Sequence, residues 1–185
     1  MGIWLLDLMP SPKSSLGLDS RYLLAVRRRA YIGRKQNMKY FAYGSNMDPD
    51  RMKQRGVNFL KREHAILEGW KLLFNKIASR NPNEGYANME KEEGSVVEGI
   101  LYEIQGSDME KLDRYEGYPN HYKKISIKVR LDIGEEIEAI TYVANPNKVR
   151  EGLKPSKEYI NHLLKGCDLL SLEYCERLRR WETLN

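Results

Sequence analysis

The chain has 185 residues and a formal net charge of +5, enough for one domain that buries roughly 70% of its unfolded surface without a disulfide or metal staple. Only two cysteines occur, Cys167 and Cys175, at no metal-ligand spacing, a usage that suits a reducing cytoplasm; no apolar run nears the roughly 20 residues of a membrane helix. Residues 1 to 37 hold seven basic and two acidic side chains while the other 148 residues carry 24 of each, so the body is not built as a footprint for phosphate backbones.

That basic stretch mixes Pro10, Pro12, a serine cluster and Arg27-Arg28-Arg29 without a sustained period; an Arg-rich, acid-poor segment can be an organelle-targeting signal, but it reads in preference as an extension or upstream start, with Met38 opening the fold. Met1 to Pro10 lacks the positive start of a secretory signal. Lys39 to Tyr43 is short and aromatic-rich, a strand that runs into the turn Gly44-Ser45-Asn46. Asp48-Pro49-Asp50 then supplies a cap, a first-turn proline and an acidic start for a short helix reaching Gly56. Strands are expected at 63–67, 70–74, 87–89, 96–104, 122–131 and 136–143, the last two joined around Ile133-Gly134. Ser107-Asp108-Met109-Glu110 has the pattern of a capping box, opening a helix that Gly117 and Pro119 close. Two further helices are expected from Ser156 to Lys165 and from Ser171 to Trp181.

Two segments could carry chemistry. In Tyr43-Gly44-Ser45-Asn46 the glycine permits a sharp bend with backbone N–H groups aimed at one anion, although such a sequence is also ordinary turn chemistry. In the helix from Met109, residues Met109 and Leu112 define an inner stripe, and Glu116 projects onto it. Shelter disfavours a carboxylate and makes it a stronger base; the plain alternative is a helix-end glutamate in solvent or paired with Arg114 or Lys123. Glu98 is an internal rival, alternating with Val96, Ile100 and Tyr102 on one strand face. His64, His121 and His162 lack zinc-site spacing, and no nucleophile elbow, Walker or dinucleotide glycine pattern occurs.

Taken together, Tyr40-Phe41-Ala42-Tyr43-Gly44-Ser45-Asn46-Met47 resembles the signature that opens the gamma-glutamylcyclotransferase family. Gly85-Tyr86-Ala87, Val97 to Tyr102, Leu112 to Gly117, Pro155 to Tyr159 and Leu172 to Leu178 follow in the family's order, so the resemblance spans 38–185. It implies an α+β fold, a small mixed β-barrel with flanking helices. It implies an enzyme that cyclises a gamma-glutamyl compound to 5-oxoproline and releases the amine. Glu116 would be the general base, and Tyr40, Phe41, Ala42, Tyr43, Gly44, Ser45, Asn46 and Tyr159 would hold the substrate. On this reading no cofactor or metal is required. The partner is a small gamma-glutamyl molecule, with no nucleic acid or membrane for the core domain. The location is cytoplasmic, and the oligomeric state is open, a homodimer included. The alternative from another class is a metabolite-binding module without catalysis, whose basic tail associates with nucleic acid or membrane.

Overall fold

A computed structural model of the chain describes residues 36–184. The basic extension lies outside them except for Gln36 and Asn37, and the first strand already starts at Asn37. Among the described residues five strands form: β1 (Asn37–Ala42), β2 (Phe59–Ile77), β3 (Gly85–Gln105), β4 (Tyr122–Leu131) and β5 (Glu136–Ala144). They close into a barrel in the order β1-β3-β2-β4-β5. Neighbours are antiparallel except where β1 meets β5 in parallel, with Tyr40 opposite Ile140. Helices α1 (Pro49–Gln54), α2 (Gly106–Glu116), α3 (Lys157–Leu164) and α4 (Leu172–Arg179) flank it, so the fold is the expected small barrel with outer helices.

Local chemistry explains most of the boundaries. The Asp48 carboxylate accepts from the N–H of Asp50 at 2.9 Å and of Arg51 at 3.2 Å, a cap worth about 1 kcal/mol. Ser156 and Ser171 cap α3 and α4 in the same way, each accepting from the N–H three residues on. Gly117 ends α2 in the left-handed region at φ 62°, which a side chain would resist. The start of α2 departs from the expected capping box. Strand β3 runs straight into the helix, Gln105 is the cap position, and Ser107 lies inside the first turn with no capping bond. The N–H of Gly106 instead reaches the carbonyl of Gln36 at 3.1 Å.

The strands expected at 63–67 and 70–74 are one strand. Gly69, at φ 74°, sits at a register shift between Glu68 and Trp70, a bulge rather than a break. Likewise 87–89 and 96–104 are joined through the exposed run Glu90–Gly94, whose charges mask its pairing with Trp70 and Lys71. Lys71 meets Glu92 at 2.7 Å and Lys91 lies over the Trp70 ring, so this arm is held by polar pairs rather than by burial.

Phe41, Met47, Met52, Met89, Ile100, Leu101, Tyr102 and Leu112 fill the centre with no exposed surface beyond 2%. Met109 and Leu112 form the expected inward stripe of α2. Cys167 and Cys175, whose usage suggested a reducing compartment, are instead joined in a disulfide: the chain brings their Cα atoms to 5.9 Å. Glu98 is occupied elsewhere. It accepts from the N–H and hydroxyl of Ser171 at 2.9 and 2.7 Å and contacts His64, fixing the start of α4. Among the described residues no helix is long and apolar enough to cross a membrane.

Candidate active site

Strand β1 delivers Tyr40 and Tyr43 to a bend followed by the short 3-10 turn Ser45–Met47, closed by the Met47 N–H on the Gly44 carbonyl at 2.9 Å. Little space is left for a side chain at Gly44. A Cβ on it would lie 3.0 Å from the Ala87 Cβ and 3.2 Å from the Tyr159 hydroxyl. Tyr159, from the first turn of α3, accepts the Ala87 N–H at 3.1 Å and also contacts Ser45. One helix residue therefore ties the bend to strand β3.

Glu116 arrives from the opposite side as the last residue of α2, with a side chain only 16% exposed. The carbonyl end of a helix repels a carboxylate, so the acid needs donors. Its Oε1 has two: Asn46 Nδ2 at 3.0 Å and Arg55 Nη1 at 2.9 Å. The same Arg55 nitrogen reaches Asn46 Oδ1 at 2.7 Å, and Asn46 Nδ2 donates to the Tyr40 hydroxyl at 2.7 Å. Four side chains from three segments thus form one closed network in which Asn46 is buried.

Tyrosines surround this network. Tyr40, Tyr43, Tyr122, Tyr142 and Tyr159 line a narrow recess together with Gly44, Ser45, Asn46, Ala87 and Glu116. Three of the hydroxyls are tied to the scaffold: Tyr43 donates to the Tyr142 carbonyl at 2.6 Å, Tyr122 to the Ala87 carbonyl at 3.0 Å, and Tyr142 to Asp113 at 2.7 Å. Burial pushes all five above the ordinary value of 10.0, and the negative charge of Glu116 adds to it. Tyr159 is pushed up to about 12 by burial, against the lowering effect of the Ala87 N–H. A folded value above the unfolded one means that this contribution to stability is complete below about pH 10 and is lost as pH rises through about 12. Thermal melts from pH 8 to 12 are expected to show Tm falling above about pH 10, with a flatter fall in Tyr159→Phe.

The recess opens past Ser45, Glu116, Tyr122 and Tyr159, which also line a wider outer chamber of about 270 Å³. Among the described residues no group of His, Cys, Asp and Glu side chains gathers as a metal site.

Of the residues singled out in the sequence, Tyr40, Tyr43, Gly44, Ser45, Asn46, Glu116 and Tyr159 meet at this one recess. Phe41 and Ala42 do not line it. Their side chains are buried in the core, and the Phe41 carbonyl accepts from Thr141 Oγ1 at 2.9 Å, so any contact they make to a ligand falls to their backbone. Glu116 pairs with neither Arg114 nor Lys123; its cation is Arg55, which no sequence pattern marked. Tyr122 and Tyr142 were visible only as strand residues, the one hint being twelve tyrosines in the chain.

Comparison with known proteins accords with this arrangement. Residues 40–161 match the family described as gamma-glutamyl cyclotransferase, AIG2-like. The chain is 29% identical over 154 residues to gamma-glutamylcyclotransferase of Homo sapiens, covering 80% of each chain. It is 30% identical over 149 residues to gamma-glutamylcyclotransferase of Mus musculus, covering 77% of this chain and 78% of the relative. A solved gamma-glutamyl cyclotransferase structure superposes with a TM-score of 0.71 at 28% identity, over 81% of this chain and 90% of that one. With two thirds of its length inside the matched region, the chain belongs to the gamma-glutamyl cyclotransferase, AIG2-like family.

Proposed function

We propose that this protein converts a gamma-glutamyl compound to 5-oxoproline and a free amine, with Glu116 as the general base. The observation that carries this is the sheltered carboxylate of Glu116, oriented by Asn46 and Arg55 at the recess shared with the Tyr43–Asn46 bend. The bend and Tyr159 hold the glutamyl part. Glu116 takes a proton from the substrate's alpha-ammonium, and the freed amine attacks its own gamma-carbonyl carbon. A C–N bond forms, the bond to the departing nitrogen breaks, and a five-membered lactam remains. Over the reaction the attacking nitrogen gives up two protons and the departing nitrogen gains two, each relayed by the carboxyl group, so no water is consumed.

Most of the acceleration comes from holding one molecule folded on itself, for which effective molarities of about 10⁵ M and above are known. Neutral tyrosine hydroxyls and the Arg55 guanidinium supply a fixed polar setting for the oxyanion as it develops. The proposal places the reaction on a free small molecule and needs no cofactor. Incubation with a panel of gamma-glutamyl amino acids and amines, quantifying 5-oxoproline and amine together, is expected to give the two in equal amounts. Release of glutamate in place of 5-oxoproline would make the enzyme a hydrolase and overturn the reading.

A further inference from the structure

The outer chamber has an unbalanced charge that the proposed reaction leaves unused. Its lining includes Arg51, Arg55, Lys76 and Arg114 against the single carboxylate of Glu116, although the body of the chain is formally neutral. Lys76 stands out among them. It lies near the end of β2 at a register shift after Leu73, and only 2% of its surface is open. Its Nζ lies 5.6 Å from the ring centre of Tyr86 and 5.5 Å from that of Tyr122, so two aromatic faces hold the ammonium in place. Among the described residues it has no ion-pair partner, whereas Arg55 is paired with Glu116 and Lys124 with Asp113. A buried ammonium without an anion is costly and persists where something else supplies the charge.

The surroundings respond to the same excess. Burial lowers the Lys76 ammonium, with Glu116 opposing that shift and Lys148 adding to it. His121 is lowered by burial and then by Lys76 and Lys148, so it adds little positive charge at neutral pH. Arg51, which also lines the chamber, carries a buried Nε with no hydrogen-bond partner, while its Nη1 meets His162 Nε2 at 2.9 Å.

We propose that Lys76 is the specificity-determining residue of the outer chamber, binding a carboxylate carried by the departing amine. The inference rests on the cyclotransferase reading, in which the glutamyl part lies at the mouth of the recess beside Glu116 and the departing amine extends into the chamber. The preferred substrates are then gamma-glutamyl compounds whose amine is an alpha-amino acid or a short peptide, in preference to simple gamma-glutamyl alkylamides. The two sources of the carboxylate share one chemistry and differ in reach.

The test compares kcat/KM of the full chain for gamma-glutamyl-alanine, gamma-glutamyl-alanyl-glycine and gamma-glutamyl-ethylamide. The ethylamide lacks the carboxylate. The wild type is expected to favour one or both carboxylate substrates over the ethylamide by about tenfold or more, the scale of one charged hydrogen bond. Whichever of the two is favoured identifies the source. In Lys76→Met that ratio falls toward one, chiefly through KM, and Lys76→Arg restores part of it. An equal ratio in wild type and Lys76→Met, or no preference in the wild type, overturns the assignment while leaving cyclisation intact. Failure of all three substrates to give 5-oxoproline would instead remove the reading on which it stands. If Lys76→Met does not fold, product inhibition of the wild type by alanine and by ethylamine asks the same question. Stronger inhibition by alanine supports the carboxylate subsite, and equal inhibition overturns it.

Discussion

Replacing Glu116 by Gln is expected to cut 5-oxoproline formation at least about 100-fold while leaving the fold and substrate affinity in place, the loss typical of removing a general base. The substitution is nearly isosteric, and its amide oxygen can still accept from Asn46 Nδ2 and Arg55 Nη1, now at 3.0 and 2.9 Å from Oε1. What disappears is the ability to take the ammonium proton and hand it on. The separation between kcat and KM matters most: a fall in kcat with KM little changed marks a group acting on the reacting nitrogen. Turnover equal to wild type would remove Glu116 from the chemistry.

Gly99→Ala is the second large expected effect, and it acts on stability and catalysis together. An added Cβ would lie 2.4 Å from the Ala42 carbonyl oxygen and 2.7 Å from the Phe41 ring. Both belong to β1, which pairs with β3 at Ala42 opposite Ile100, so one strand must be pushed from the other. Overpacking of this kind costs about 1–3 kcal/mol, or more when backbone must move. In a chain of this size each kcal/mol lowers Tm by about 2–4 °C. Ala42 stands directly before Tyr43 and Gly44, so the displacement reaches the bend that lines the recess. A shift of about 1 Å there can cost about 100-fold in rate. Turnover per folded molecule is therefore expected to fall along with Tm, measured on the same preparation. A variant with wild-type Tm and rate would show that β1 yields at no cost.

The elements legible in the sequence were those whose ends carry local chemistry. Asp48, Ser156 and Ser171 cap their helices as their side chains suggest, and Gly117 and Gly134 turn the chain where positive φ is needed. The pairing of Glu90–Gly94 was hidden because a solvated arm of a sheet needs no apolar alternation. The capping pattern at Ser107 misled because a continuing strand, rather than a loop, precedes α2. In the site, Glu116 could be read from helical periodicity, since its stripe mates Met109 and Leu112 are buried. Arg55 could not. It lies just beyond α1 on no apolar stripe, and its meeting with Glu116 joins positions 61 apart. Lys76 was hidden for the reverse reason: a lysine near the end of a strand reads as surface until its neighbours are placed.

The parallel junction of the first and last strands has a bearing on how the protein comes to life. Its hydrogen bonds join Tyr43 to Tyr142 and Thr141 to Phe41, partners 99 and 100 positions apart in the chain. Contacts of that span carry a large loop-closure entropy, which must be met before the pairing is rewarded. Tyr40 and Tyr43 stand at that junction, so the recess they line is assembled only once the ring of strands has closed.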